Sequence, residues 1–281
     1  MSLGSTGVPP VLLSTDEGVA VVTLNRPHRG NAWTGRMESE FRALIAEADS
    51  DPDVGVIVVT GAGRHFCVGA DSRALEMHSE AGSYQSGIEV PPAQPGNPDD
   101  PSSQTRFGFL RALNKPVIAA VNGSAAGIGF VIMCFADVRF VAFEAKLTAA
   151  APRLGLPAEC GISWILPRLI GLSRATELLI SSRILRGNEA SDIGLAHRSL
   201  PSHEVLPGAV AYARALIAEC APSSLRATKQ QLALDLERSL LDADRDANDR
   251  LLRMVGSDDF REGVEALVQR RRPRFRQQPT D

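Results

Sequence analysis

The fold is decided by one stretch of the sequence, Lys115-Pro116-Val117-Ile118-Ala119-Ala120-Val121-Asn122-Gly123-Ser124-Ala125-Ala126-Gly127-Ile128-Gly129. Pro116–Val121 is an apolar run of strand length, a turn of small residues follows, and Gly127–Ala136 has the composition of a buried helix. Glycines in such a turn let another group approach the backbone. The first turn of a helix adds free N–H groups and a partial positive charge. The stretch therefore predicts a strand, a tight turn and a helix whose N-terminus can donate to an oxyanion.

A second segment has the same form, namely His65-Phe66-Cys67-Val68-Gly69-Ala70-Asp71. Two such turns that face one point would form an oxyanion hole, in which each donor is worth on the order of 3 kcal/mol. Gly127-Ile128-Gly129 lacks the third glycine of a dinucleotide fingerprint, and Ser124 is not in a nucleophile elbow. From these residues alone a simpler alternative stays open, in which both segments are only tight strand-to-helix turns.

The flanking sequence predicts an α/β core. Val11–Ser14 and Val19–Asn25 form a hairpin, and Thr34 caps a helix that leads into the buried strand Val54–Thr60, which makes a crossover unit. A second round of elements follows, with a helix at Thr105–Lys115 and a strand at Val138–Phe143. After Gly161 the periodicity becomes helical, near Ile162–Ile170, Arg174–Ile180, Glu204–Cys220, Ser223–Ser239, Leu241–Val255 and Asp259–Arg272.

These elements divide the chain into three parts. Residues 1–10 are predicted to be a flexible leader, residues 11–200 the α/β core, and residues 201–281 a helical C-terminal region. Within the core, Gly82–Ser103 is rich in proline and acidic residues and predicts a long mobile loop, either a lid or a plain insertion.

Composition excludes several classes of protein. The chain has 281 residues and is 44% apolar, which is enough to fill a core. A formal net charge of −3 argues against a protein that coats nucleic acid, and the apolar runs are too short to cross a membrane. Four cysteines without paired spacing predict neither a metal site nor a disulfide framework, so we expect a cytoplasmic protein.

Several segments together resemble the enoyl-CoA hydratase/isomerase (crotonase) family. They occur in the family's order and cover nearly the whole chain after Val11, except the loop at Gly82–Ser103. The segments are Ala20-Val21-Val22-Thr23-Leu24-Asn25-Arg26-Pro27 with Asn31-Ala32, then Phe66–Asp71, then Lys115–Gly123, and at the C-terminus Ser257–Gly263 followed by Arg270–Phe275. The resemblance implies a crotonase-like (ClpP/crotonase) spiral of ββα units with a helical C-terminal trimerisation region.

The resemblance also implies an active site. The two oxyanion donors fall on the backbone N–H groups of Ala70 and Ile128, and many relatives have glycine at the second position. The paired carboxylates with which the family hydrates 2-enoyl thioesters fall on Val131 and Ala151, neither of which can move a proton. Glu159 stands where isomerases of the family have their single catalytic acid. The alternative for Glu159 is a solvent-facing carboxylate that stabilises the helix dipole.

Coenzyme A carries phosphates and an adenine, so basic residues are expected around its site. By resemblance Arg26, Arg64 and Arg73 lie near the nucleotide, the backbone of Val68 lines the adenine, and Arg270 reaches the coenzyme of a neighbouring subunit. For each arginine, a solvated surface charge is the alternative.

The expected function is an acyl-CoA enzyme that shifts the double bond of a 3-enoyl-CoA through an enolate. Coenzyme A enters as part of the substrate, with no separate cofactor, no metal, no nucleic acid and no membrane. The alternatives are an enoyl-CoA hydratase or another crotonase-type lyase, and an acyl-CoA binding protein without catalysis. The resemblance further implies a homotrimer, often paired into a hexamer.

Overall fold

The structure, a computed structural model, describes residues 8–83, 95–98 and 100–275. The first seven residues of the predicted leader lie outside these ranges. Within the described ranges the chain has ten strands: β1 (Val11–Asp16), β2 (Val19–Leu24), β3 (Val56–Gly61), β4 (His65–Cys67), β5 (Val117–Val121), β6 (Ser124–Ala126), β7 (Val138–Ala142), β8 (Lys146–Thr148), β9 (Leu185–Arg186) and β10 (Arg198–Leu200). Eleven helices accompany them in the described chain: α1 (Gly35–Ser50), α2 (Ser72–Ala81), α3 (Phe109–Ala112), α4 (Ile128–Phe135), α5 (Ile162–Ile170), α6 (Leu172–Ser181), α7 (Gly187–Asp192), α8 (Ser202–Glu219), α9 (Pro222–Asp235), α10 (Leu240–Met254) and α11 (Asp258–Gln269).

The larger sheet has six strands in the order β1-β2-β3-β5-β7-β10. β1 and β2 form the predicted antiparallel hairpin, with Val11 opposite Leu24. From β2 onward every neighbour is parallel. All residues of β3 and β5 are buried, which is typical of parallel strands covered on both faces.

The smaller sheet has four strands in the order β4-β6-β8-β9. Three times the chain places one strand in the larger sheet and the next in the smaller sheet, at β3–β4, β5–β6 and β7–β8. This repeat is the predicted spiral of ββα units. The sequence did not predict the short strands of the smaller sheet, because two or three residues are too few to show an alternating pattern.

Each predicted helix except one is present in the structure, which also has a short helix, α7, that the sequence did not predict. The predicted helix at Thr105–Lys115 is only the single turn α3 in the structure, preceded by a 3-10 turn at Pro101–Gln104. Gly108 has no side chain to support a helix there, and the chain straightens at Leu113. Thr34 caps α1 as predicted, since its side chain accepts a hydrogen bond from the Met37 N–H.

The predicted mobile loop at Gly82–Ser103 falls largely on residues 84–94, which lie outside the described residues. Its last part packs against the core. The Asn97 N–H donates to the Ala112 carbonyl at 2.8 Å, and the side chains of Asp100 and Ser103 are buried. This end of the segment is therefore tied to α3.

A buried lysine links the C-terminal helix α9 to the core. Lys229 on α9 donates to the carbonyl oxygens of Leu110 and Lys115 and to the carboxylate of Asp137, at 2.7–2.9 Å. Asp137 also accepts from the Val117 N–H, so α9 is linked to the start of β5. None of the described helices is long and apolar enough to cross a membrane.

Candidate active site

The two small-residue turns touch because the strands before them, β4 and β6, are parallel neighbours. Gly69 has a φ of +99°, and a Cβ there would lie 3.1 Å from the Ala126 carbonyl oxygen and 3.9 Å from the Gly127 Cα. Gly127 also has a positive φ, at +48°. Both positions need glycine, since an L side chain is strained at these angles and the backbones are in contact.

The two predicted donors follow these glycines. Trp33 donates from its N–H to the Gly69 carbonyl at 2.7 Å and accepts from the Asp71 N–H at 3.0 Å. Because successive N–H groups of an extended chain point to opposite sides, the N–H of Ala70 faces away from Trp33. Ile128 is the first residue of α4 and has no partner for its N–H within the helix. Neither N–H donates to another group in the described part of the chain.

Two asparagine side chains hold this arrangement in place. Asn31, fully buried and in the left-handed region, accepts from the Arg26 N–H and donates to the carbonyl oxygens of Ala62 and His65. Asn122 accepts from and donates to the backbone before β4 in the same way. The β4 strand and its turn are therefore anchored from both sides. Sequence reasoning used Asn31 and Asn122 only as marks of resemblance.

A cavity of about 10 Å³, the size of a single water, adjoins Ile128. Val131 and Ala151, the positions to which the resemblance assigns the hydratase carboxylates, both line it, and so does Glu159. The full lining is Gly127, Ile128, Val131, Ala149, Ala151, Glu159, Cys160 and Ile162. Glu159 contributes a carboxylate to a cavity lining that is otherwise largely apolar.

Glu159 lies on a sharp turn before α5. It is exposed to solvent as well as lining the cavity, and its carbonyl accepts from the Ile162 N–H at 3.1 Å. Cys160 and Gly161 are both left-handed, with φ of +56° and +76°, an uncommon conformation for cysteine. Burial raises the pKa of the Cys160 thiol. Cys160 is therefore a protonated thiol at neutral pH rather than a nucleophile.

An ion pair that sequence reasoning missed lies beside this turn. Arg106 donates from Nε and Nη2 to the buried carboxylate of Glu38, at 2.6–3.0 Å, and from Nη1 to the Cys160 Sγ at 3.8 Å. Glu38 also accepts from the Trp33 indole N–H at 3.0 Å. Glu38 and Arg106 are 68 residues apart in sequence, so no local pattern signals the pair.

Among the residues predicted to bind the coenzyme, Arg26 has a guanidinium that is hydrogen-bonded within the protein. Its guanidinium donates to the Ala32 carbonyl and to the Asp71 carboxylate, and Arg29 donates to the same carboxylate. Asp71 caps α2 by accepting from the Arg73 N–H. Burial opposes ionisation of this carboxyl, but hydrogen bonds from the Arg73 N–H, Arg26 and Arg29 hold its pKa below the usual value.

The other predicted coenzyme residues are accessible. Arg64 and Arg73 are exposed on either side of the first turn, and Val68 between them is 39% exposed. Arg270 is exposed at the end of α11, where it adopts a left-handed conformation. No group of three or more His, Cys, Asp or Glu side chains suited to a metal occurs within the described ranges.

Comparison with known proteins places this geometry in a family. The family model described as "Enoyl-CoA hydratase/isomerase" matches residues 14–278. A 1,2-epoxyphenylacetyl-CoA isomerase of Escherichia coli (strain K12) is 32% identical over 271 residues, covering 94% of this chain and 97% of the relative. A probable enoyl-CoA hydratase, EchA14, of Mycobacterium tuberculosis (strain ATCC 25618 / H37Rv) is 36% identical over 237 residues, covering 82% of this chain and 86% of the relative.

Solved structures agree with this assignment. A probable enoyl-CoA hydratase/isomerase from Mycobacterium abscessus superposes with a TM-score of 0.82 at 33% identity, covering 95% of this chain and 99% of the other. An enoyl-CoA hydratase from Mycobacterium tuberculosis H37Rv superposes with a TM-score of 0.84 at 26% identity, covering 96% and 100%. The chain belongs to the enoyl-CoA hydratase/isomerase (crotonase) family.

Proposed function

We propose that the protein isomerises a 3-enoyl-CoA to a 2-enoyl-CoA, with Glu159 as the base. The observation that carries the proposal is the lining of the cavity beside Ile128. Glu159 is present there, whereas the two positions expected to hold the hydratase carboxylates are Val131 and Ala151.

A single carboxylate is sufficient for a 1,3 proton shift. Glu159 removes a proton from C2 of the substrate, and the enolate oxygen accepts hydrogen bonds from the N–H groups of Ala70 and Ile128. The same carboxyl returns the proton at C4, so no atom is gained or lost. Because Glu159 lies between solvent and the cavity, it can reach a substrate that enters from outside.

Hydration of a 2-enoyl-CoA would require different groups at the same site. A water must be held by two or more polar groups before it can attack, and the family's hydratases supply two carboxylates. Here Val131 and Ala151 are buried apolar side chains, 4% and 6% exposed. The apolar wall therefore favours proton transfer over addition of water.

The coenzyme would lie along the exposed edge of the first turn. Arg64 and Arg73 offer charges to its phosphates, and the partly exposed Val68 between them offers a surface to the adenine. Arg26 orients Asp71 and the turn rather than binding phosphate directly. Arg270 would contact the coenzyme of a neighbouring subunit in a homotrimer or a pair of trimers.

The test compares isomerisation of 3-enoyl-CoA with hydration of 2-enoyl-CoA in wild-type protein and in Glu159→Gln. Loss of the carboxylate is expected to reduce isomerisation by about 10²–10⁴-fold, with little change in binding of the coenzyme. Glu204→Gln, which changes an exposed glutamate in the first turn of α8, is the matched control and keeps full activity.

A hydratase is the second candidate, favoured by the names of relatives such as EchA14. Fast hydration that Glu159→Gln leaves unchanged would replace the isomerase proposal with this one. Tight binding of acyl-CoA without turnover of either thioester would instead support the third candidate, a binding protein without catalysis.

A further inference from the structure

The ion pair of Glu38 and Arg106 is unusually well defined for a pair beside an active site. The Glu38 side chain is 3% exposed and that of Arg106 is 25% exposed. Glu38 accepts from Nε and Nη2 of Arg106 and from the indole of Trp33. Such a fork-shaped pairing fixes the plane of the guanidinium and with it the direction of the remaining nitrogen, Nη1.

Stability alone does not explain this pair. A buried ion pair loses much of its hydration, and apolar side chains of the same volume often stabilise a protein as well or better. The surroundings are suited to such a replacement, because Trp33, Phe41 and Phe107 pack edge to face around Glu38 and Arg106. What the ion pair provides is a fixed orientation of the Arg106 guanidinium.

That geometry connects the two halves of the catalytic site. On one side, the Trp33 backbone is hydrogen-bonded to Gly69 and Asp71, which flank the first oxyanion donor. On the other side, Arg106 Nη1 donates to the Sγ of Cys160, whose backbone is left-handed and directly follows Glu159. The chain of contacts thus runs from the oxyanion turn to the turn that carries the base.

We propose that Arg106, oriented by Glu38, is a positioning residue that sets the Glu159–Cys160 turn relative to the oxyanion donors. The inference rests on the proposed function, since it requires Glu159 to be the base. It assigns to Arg106 no contact with the substrate. Its effect on the reaction passes through the position of Glu159.

The experiment measures kcat and KM for 3-enoyl-CoA isomerisation in Arg106→Met, Arg106→Lys and Glu38→Gln. A displacement of about 1 Å at a catalytic group lowers the rate by about 10²-fold, so kcat is expected to fall 10- to 100-fold while KM stays within about threefold. Lysine keeps the charge but not the fork, and Arg106→Lys is therefore expected to fall as well.

The matched control is Arg214→Met, which removes an arginine paired with Asp16 and Glu17 at the β1–β2 turn. This variant is expected to keep wild-type kcat. Full recovery of kcat in Arg106→Lys would overturn the proposal, because charge rather than orientation would then be sufficient. If Arg106→Met does not fold, Glu38→Gln decides, since it weakens the fork and keeps an acceptor for Trp33.

The activity of Glu159→Gln distinguishes failure of the proposed function from failure of the positioning role. If Glu159→Gln is inactive but Arg106→Met and Glu38→Gln both keep kcat within twofold of wild type, the positioning role is wrong and the proposed function stands. If Glu159→Gln isomerises at the wild-type rate, the proposed function fails, and the positioning role fails with it.

Discussion

Gly129→Ala is a direct test of how closely the two catalytic turns depend on each other. Gly129 lies in the first turn of α4, one residue after the donor Ile128, and its φ is not in the left-handed region. By helix propensity alone, alanine should stabilise this position by about 1 kcal/mol. The surroundings predict the opposite sign, because a Cβ would lie 2.2 Å from the Cys67 carbonyl oxygen and 2.8 Å from the Cys67 Cβ.

The size of the effect follows from these distances. The helix N-terminus must retreat from β4 by about 1 Å to restore an ordinary contact distance of about 3.5 Å. Both partners at the contact are backbone or Cβ atoms, which cannot swing away as a flexible side chain can. A contact of 2.2 Å against a backbone oxygen belongs in the upper part of the range for overpacking, about 2–3 kcal/mol, which leaves a net loss of about 1–2 kcal/mol after the gain in helix propensity. The same retreat moves the Ile128 N–H and is expected to lower kcat by about 10²-fold.

The assay combines thermal unfolding with isomerase kinetics. A net loss of this size lowers Tm by about 2–8 °C in a chain of this length. Gly208→Ala on α8 is the control, since the one close atom its Cβ would meet is the Cδ1 end of Leu200, at 2.9 Å, which can turn aside, while the Phe140 ring atoms lie at an ordinary contact distance of 3.7 Å. A Gly129→Ala protein with wild-type Tm and wild-type kcat would refute the claim that α4 and β4 fix the donors together.

Two further predictions concern charge. Burial lowers the pKa of Lys115 to about 8 from 10.5, although Asp49 and Asp51 oppose the shift. Between these values the folded state binds fewer protons at Lys115 than the unfolded state, so the contribution of this residue to stability grows by about 3 kcal/mol from pH 7.5 to pH 10.5. Urea unfolding at the two pH values should show the stability of wild type relative to Lys115→Met growing by this amount, and a difference between the two proteins that does not change with pH would contradict it. In the cavity, Val131→Glu combined with Ala151→Glu should lower Tm, because two carboxyls replace buried apolar groups, and should raise hydration of 2-enoyl-CoA above the wild-type level. A folded double variant that hydrates no faster than wild type would show that other residues limit the reaction.

Much of the fold was predictable because its elements have local signals. The hairpin, the buried strands near Val56–Gly61 and Val117–Val121, and the helices after Ile162 all show the expected periodicity, and the structure confirms them. The smaller sheet was not predictable, since β9 has only two residues and its pairing is defined by distant partners. The helix predicted at Thr105–Lys115 was wrong because Gly108, a poor helix former, lies within the segment and the chain becomes extended at Leu113.

The residues of the candidate site also differ in whether the sequence could predict them. The resemblance to the family assigns the donors to Ala70 and Ile128, and the structure explains the glycines beside them by the contact between the two turns. The Glu38–Arg106 pair joins residues 68 positions apart, so no local pattern predicts it. Glu38 in particular resembles an ordinary acidic residue in the first turn of α1. Only the folded chain shows that its carboxylate is buried.

Under the proposed function, the oxyanion donors and the reaction type are specified by different kinds of residue. Backbone N–H groups would supply the hydrogen bonds to the enolate, so isoleucine at position 128 in place of glycine would not remove a donor. Side chains around a cavity of single-water size determine what happens next, since a proton shift needs one carboxylate and addition of water needs a polar cage. One acid on a mobile turn would serve a proton shift poorly, because it must reach both C2 and C4. The proposed positioning role of Arg106, which donates to the Cys160 Sγ, meets that requirement and gives a reason for keeping a buried ion pair beside an apolar pocket.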